Sequence, residues 1–293
     1  MRVGVDIPYF RDPSEIREFV QGAEALGVHH LAFSEHVAAT RDTAFPAGFS
    51  FDDPWHESFT LLGFLAAATR SVELCTSMLL VTLRPAVLAA KQAAEIDLLS
   101  RGRLRLGVSV GWNTWECAAL GVAPSARGAL IEEQIEVMRR LWSEDSVSYA
   151  GRHVQLRETG IHPRPDRSIP IWMGGGSFAG GGYPPPRVLD RAARLADGFK
   201  LFAPLAADRA RGDALVRDLR ERAADAGRNP ETFGIEARLA PQAVPEDEWA
   251  ECVAHWKGSG VSHLGLANRI AGGGPAEQLA LVERFVERTR EHW

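Results

Sequence analysis

Short runs of alternating apolar and polar residues are each followed by a stretch in which apolar residues recur every three or four positions. Val3–Ile7 reads as a strand. Asp12-Pro13-Ser14-Glu15 then supplies a cap, a proline at the first helical position and an acid three residues beyond the cap. Ile16, Phe19, Val20 and Ala23 continue at helical spacing until Gly27. The next strand is His30–Ser34, and a helix is predicted from Asp53-Pro54 to Thr69. A β-rich run, Val72–Leu80, contains the third strand, and Pro85 opens a helix to Ser100. Arg103–Val110 is the fourth strand, with Leu104, Leu106, Val108 and Val110 in strict alternation, followed by a helix over Arg127–Trp142. The polar stretch Ser143–Ser168 predicts a small hairpin turning at Ala150-Gly151. The rhythm then resumes, with strands at Ile169–Met173, Phe199–Phe202, Phe233–Leu239 and His263–Ala267. Helices alternate with them at Arg187–Ala196, Arg209–Ala226, Glu246–Lys257 and Pro275–Arg290.

Strict strand–helix alternation implies a parallel sheet covered by helices. Eight such units in one chain predict a single (β/α)8 TIM barrel domain over residues 1–293, with a doubly wound open sheet as the alternative. An internal echo supports repeated units: Leu26-Gly27-Val28-His29-His30-Leu31 resembles Ser259-Gly260-Val261-Ser262-His263-Leu264. Chemistry in such barrels sits on the loops after the strands. Three of these are long, after strands 2, 4 and 5: Glu35–Asp53, Gly111–Ala126 and Gly174–Pro186.

Composition narrows the function. Thirty-three basic against 38 acidic residues give a net charge of −5, which excludes nucleic-acid binding driven by bulk charge. Apolar runs such as Ser77–Leu83 are too short for a bilayer, which needs about 20 residues. The first ten residues run straight into a strand pattern and do not read as a signal peptide. Cys75, Cys117 and Cys252 are odd in number and widely spaced, so a reduced, cytoplasmic protein is expected. No metal-ligand spacing is present, and no metal is expected.

Several constellations carry possible chemistry. Ser34-Glu35-His36 closes the second strand, where a carboxylate beside an imidazole can orient a ring or move a proton, or simply end the strand. Gly107-Val108-Ser109-Val110-Gly111 matches the serine-hydrolase elbow, but Ser109 falls inside a strand alternation with no predicted helix directly after it. Gly174-Gly175-Gly176-Ser177 follows the fifth strand, where bare backbone N–H groups suit a phosphate; a flexible lid is the alternative. Trp112, Asn113 and Trp115 crowd the fourth-strand loop and suit either a flat ligand or lid packing.

Together these pieces resemble the luciferase-like monooxygenase superfamily, most nearly its oxidoreductases that use the deazaflavin coenzyme F420. The resemblance runs through Ser34-Glu35-His36-Val37, Thr76-Ser77-Met78-Leu79, Pro85–Gln92 and Leu99–Arg103. It continues through Leu106–Asn113, Pro170–Ser177 and Ala196-Asp197-Gly198-Phe199. It implies a barrel with the ring across the C-terminal mouth, touched by Glu35 and His36, with His36 carrying the proton and Glu35 orienting it or binding the ring edge. It further implies Thr76, Ser77 and Met78 behind the ring with a cis Ser77–Met78 bond, and Val110, Gly111 and Asn113 beside it. Gly174, Gly175, Gly176 and Ser177 are implied to hold the phosphate, and Tyr9, Trp112 and Trp115 to line the substrate pocket. Trp112 stands where the sugar-phosphate dehydrogenases carry a catalytic glutamate, which implies a more apolar substrate. The expected activity is hydride transfer between F420 and a small organic molecule, reducing C=C or C=N or oxidising an alcohol. The alternatives are an FMN-dependent monooxygenase using O₂ and a serine hydrolase using Ser109. The resemblance implies a homodimer, with neither nucleic acid nor membrane as partner.

Overall fold

The computed structural model describes residues 1–41, 50–176, 182–201, 208–268 and 273–293. In chain order the first elements are β1 (Arg2–Asp6), α1 (Pro13–Ala25), β2 (His30–Phe33), α2 (Ser58–Ala68), β3 (Glu73–Thr76), β4 (Leu79–Leu80) and α3 (Ala86–Leu99). Next come β5 (Leu104–Ser109), α4 (Thr114–Ala119), α5 (Arg127–Ser143), β6 (Val147–Ala150), β7 (Gln155–Thr159), β8 (Ile171–Gly174) and α6 (Pro186–Leu195). The last are β9 (Gly198–Lys200), α7 (Arg209–Asp225), β10 (Gly234–Leu239), α8 (Trp249–Gly258), β11 (His263–Leu266) and α9 (Pro275–Thr289).

The strand order is β3-β2-β1-β11-β10-β9-β8-β5-β4, and β3 also pairs β5. That extra pairing closes a parallel (β/α)8 barrel, so the open-sheet alternative is set aside. The chain groups into two compact units: Met1–Phe33, Ala68–Cys75 and Trp172–Trp293 form one, and Ser34–Ala67 and Thr76–Ile171 the other.

In the first unit, β1 lies in register with β11 (Gly4 opposite Gly265) and with β2 (Gly4 opposite His30). Glu236 of β10 pairs Lys200 of β9 and His263 of β11. One strand face is apolar and buried: Val3, Val5, Leu31, Phe199, Ile235, Leu264 and Leu266. The alternate face carries glycines and charges. Glycine is required where backbones meet rings: a Cβ at Gly198 would meet Trp172 at 2.6 Å. The Asp12 side chain accepts from Ser14 N and caps α1 as the spacing predicts, and Gly27 ends the turn at φ +83.

In the second unit, β4 pairs β5 (Leu79 opposite Val108), and Thr76 Oγ1 donates to Gly107 O at 2.7 Å. The hairpin β6–β7 turns at Gly151, whose N–H donates to Val154 O. Three departures from the sequence reading bear on the site. The β-rich third run is two short strands separated at the Ser77–Met78 bond, which is cis, as the resemblance implies. The helix expected from Asp53 begins at Ser58, because Glu57 Oε2 accepts from Thr60 N at 2.8 Å and so caps it. Asp53 instead turns back onto Ser50 N at 2.8 Å. Third, α4 follows β5 where no helix was expected, capped by Asn113.

Candidate functional site

The second unit presents the chain from Ser34 onward, just past the C-terminal end of β2. Ser34 Oγ donates to Ser77 O at 2.8 Å, which ties the β2 end to the cis bond. His36 is held at its Nδ1 by Glu116 Oε2, 2.8 Å away. Glu116 Oε1 also accepts from Val37 N at 2.5 Å and Ala38 N at 3.2 Å. With both carboxylate oxygens accepting, the proton between the side chains sits on Nδ1, and Glu116 fixes the orientation of the ring. Trp55 and Trp112 meet the His36 ring edge-on, with centroids 4.6 and 5.6 Å away.

Glu35 does something other than expected. It neither orients His36 nor offers an open edge. Its Oε2 accepts from Leu80 N and Arg84 Nη1, both at 3.0 Å, and its Oε1 from Ser58 N at 3.1 Å and from Arg84 Nη2. The carboxylate is fully buried and saturated, so its work is to fasten the β2 end to α2 and β4. Arg84 also reaches Glu57 at 2.6 Å. Burial pulls the Arg84 guanidinium down, but the charge and hydrogen bonds of Glu35 and then Glu57 outweigh it and leave it raised. Burial pushes Glu57 up, and Thr60 N and Arg84 overcome that and hold it below the usual carboxylate range.

Asn113 lies past β5 and spends its side-chain oxygen on Trp115 N (3.0 Å) and Glu116 N (3.4 Å), which starts α4 and delivers Glu116 to His36. Its Nδ2 is buried and makes no hydrogen bond among the described residues. Gly111, beside it, turns the chain at φ +74. Val110 O accepts from Thr82 Oγ1 at 3.3 Å. Trp112 and Trp115 are 38% and 55% exposed, so neither is spent on the core. Ser109 Oγ accepts only from Gly111 N, at 3.4 Å, and no imidazole partners it among the described residues. Among the described residues, the hydrolase reading therefore has no base.

The first unit holds the other expected residues. Gly174 ends β8 and is buried, Gly175 and Gly176 follow it, and Ser177 lies outside the described residues. A Cβ at Gly175 would meet Val188 Cγ1, in the first turn of α6, at 3.3 Å. Tyr9 is half-buried in the loop after β1. This unit also buries an ion network that the sequence reading did not single out. Lys200 Nζ lies 2.7 Å from Glu236 Oε1 and 3.8 Å from Asp6 Oδ1, Arg238 Nη2 pairs Asp6 Oδ2, and His30 Nε2 is 3.5 Å from Glu236 Oε1. Burial lowers the Arg238 guanidinium to about 10, which leaves it charged at neutral pH.

A closed (β/α)8 barrel thus carries an oriented imidazole and exposed tryptophans in the loops after its strands. The chain belongs to the luciferase-like monooxygenase family, whose pattern it matches over residues 1–292. It is 31% identical over 192 residues to an F420-dependent glucose-6-phosphate dehydrogenase of Amycolatopsis mediterranei, covering 64% of this chain and 53% of that one. It is 30% identical over 169 residues to the pyrimidine monooxygenase RutA of Pseudomonas syringae, covering 56% of this chain and 45% of that one. Among solved structures, an F420-dependent secondary alcohol dehydrogenase with an F420-acetone adduct superposes with a TM-score of 0.77 at 17% identity, over 100% of this chain and 99% of that one. Relatives thus include dehydrogenases and monooxygenases. Among the described residues, no helix is long and apolar enough to cross a membrane.

Proposed function

We propose that this protein transfers a hydride between deazaflavin coenzyme F420 and a small organic substrate. The observation that carries the reading is the His36 imidazole, held in one tautomer by Glu116 and flanked by Trp55 and Trp112. The likeness to an F420-dependent dehydrogenase supports the choice of cofactor. The residues fit such a group in one specific respect: the buried Asn113 Nδ2–H has no acceptor among the described residues, and a heterocycle carbonyl supplies one. When bound, the deazaflavin supplies the carbon that gives or takes the hydride.

The chain does the rest. His36 Nε2 takes or returns a proton as the substrate changes oxidation state, and Glu116 orients the ring for this from Nδ1. Trp55 and Trp112 shield the imidazole from water. Thr76, Ser77, Met78, Val110 and Gly111 are assigned to the ring, and the backbone N–H groups of Gly174, Gly175 and Gly176 to the phosphate. Glu35 is assigned to the scaffold beneath His36. The reading carries with it a cytoplasmic homodimer.

An FMN-dependent monooxygenase is the second reading, favoured by the likeness to RutA. One experiment separates the two. The protein is titrated with oxidised and reduced F420 and with FMN, and oxygen uptake is followed with each reduced form. Binding of F420 without oxygen uptake is expected; FMN binding with oxygen uptake and no F420 binding would replace the proposal with the second reading.

A further inference from the structure

The short helix α4 has its polarity turned inside out. From Trp112 to Ala126 the only charged residue is Glu116, and it is buried together with Asn113 and Cys117. The outward side carries Thr114, Trp115, Ala118, Ala119 and Leu120. Trp115 is 55% and Leu120 39% exposed. A surface helix ordinarily buries its apolar side and shows its charges. Six large hydrophobic side chains are exposed among the described residues. Four of them, Val37, Trp112, Trp115 and Leu120, sit on the two segments that Glu116 joins.

This exposure is built in, because the inner side of α4 is already committed. Asn113 caps the helix, and Glu116 holds His36, Val37 and Ala38. Cys117 and Val122 pack on Leu80 and Leu83. Arg127 fastens both ends of the segment, Nη1 donating to Gly111 O at 2.5 Å and Nε to Pro124 O at 2.9 Å. Turning Trp115 inward would pull Glu116 away from His36. The apolar side is left to be met from outside.

Shape and chemistry select the occupant. The outward side of a helix is convex, whereas small ligands need a concave site that encloses most of their surface. The exposed parts of Trp115, Leu120, Ala118 and Ala119 amount to about 300 Å², against about 800 Å² per partner in a stable protein interface. A bilayer surface needs neither a concavity nor a large fitted area, and indole side chains favour its interfacial zone. The uncharged face and the net charge of −5 give no attraction to anionic headgroups, which selects zwitterionic lipid.

We propose that the outward side of α4, centred on Trp115 and Leu120, docks on the surface of a zwitterionic lipid bilayer. Trp115 is thereby assigned to this surface rather than to the substrate pocket, and the expectation of no membrane partner is amended. The docking stands apart from the reaction proposed above and needs no cofactor.

The test co-sediments the full chain, without cofactor, with phosphatidylcholine vesicles. Burial of this apolar area, less the cost of association, is expected to give half-binding at about 1 mM lipid, insensitive to added salt. Trp115→Ser is expected to weaken binding about tenfold or more, and Leu120→Ser severalfold. Leu88→Ser, which removes a side chain 50% exposed on α3, is expected to leave it unchanged. No sedimentation at about 10 mM lipid would overturn the proposal. So would binding that is unchanged in both α4 variants, that falls equally in Leu88→Ser, or that appears only with anionic vesicles and is lost on adding salt. A lipid-free dimer that Trp115→Ser dissociates would also overturn it and give the face to a second copy. Should Trp115→Ser lose its thermal transition, Leu120→Ser decides.

Discussion

Replacing Glu116 by Gln separates the placement of His36 from its chemistry. In the native side chain, Oε1 accepts from Val37 N (2.5 Å) and Ala38 N (3.2 Å), and Oε2 accepts from His36 Nδ1 (2.8 Å). A glutamine keeps the oxygen for the two backbone groups but presents an N–H₂ to the imidazole. Nδ1 must then accept, and the ring proton moves to Nε2. No hydrogen bond is lost, only the charge assistance, so stability falls by about 1 kcal/mol. That is about 2–4 °C in a chain of this size. Turnover responds very differently, because Nε2 no longer carries a lone pair. A general acid or base typically contributes about 10²–10⁴-fold. The expected loss in kcat is of that order, or about 3–5 kcal/mol of barrier. Nitrogen-15 NMR of the imidazole reads the tautomer, a thermal scan reads the stability, and steady-state kinetics on a substrate of the unaltered protein reads kcat. A swapped tautomer with kcat within threefold of the unaltered protein would refute proton transfer by His36. An unswapped tautomer would refute the role given to Glu116.

Other substitutions probe the surroundings. Arg84→Leu leaves the buried Glu35 carboxylate without its bidentate partner and is expected to cost about 3–5 kcal/mol in urea unfolding. Gly175→Ala is expected to weaken F420 binding in a fluorescence titration with little change in melting temperature, since Val188 Cγ1 at 3.3 Å needs to yield only slightly; unchanged affinity would make the glycine run a lid. Glu24 is pushed up by burial, but hydrogen bonds from Ser71, Arg70 and Val72 hold its carboxyl below the usual range. Its contribution is therefore present above the unfolded carboxylate pKa and is lost as pH falls through the lower folded one. The difference in urea midpoint between the native protein and Glu24→Gln is expected to be full at pH 7 and to shrink on acidification below the ordinary carboxylate range.

The barrel was legible because strand periodicity is a local signal: Leu104, Leu106 and Val108 alternate, and Asp12-Pro13 opens a helix where it should. The proton-carrying candidate was legible as an imidazole at a strand end, but its partner was not. The adjacent acid, Glu35, is claimed by Arg84, 49 residues away in sequence, while the acid that holds His36 is 80 residues away. No reading of neighbours reveals either pairing. One signal did exist: Asn113-Thr114-Trp115-Glu116 has capping-box spacing, which marks both the short α4 and its glutamate. The ion network was hidden for another reason. Asp6, Lys200, Glu236 and Arg238 occupy positions where alternation allows a polar residue, and periodicity does not say that such a face is buried.

The reach of Glu116 from α4 to the Val37 and Ala38 N–H groups has a consequence for exchanging parts between members of this family. Loops on barrel mouths are commonly treated as separable modules, each free to be swapped for a longer or differently decorated one. Here the segment after β2 and the segment after β5 share one carboxylate and form a single heritable unit. A graft of either alone brings an imidazole without its anchor, or an anchor without its imidazole. Chimeras that transplant both together should retain the His36 tautomer, and those that transplant one should lose it even when the barrel folds.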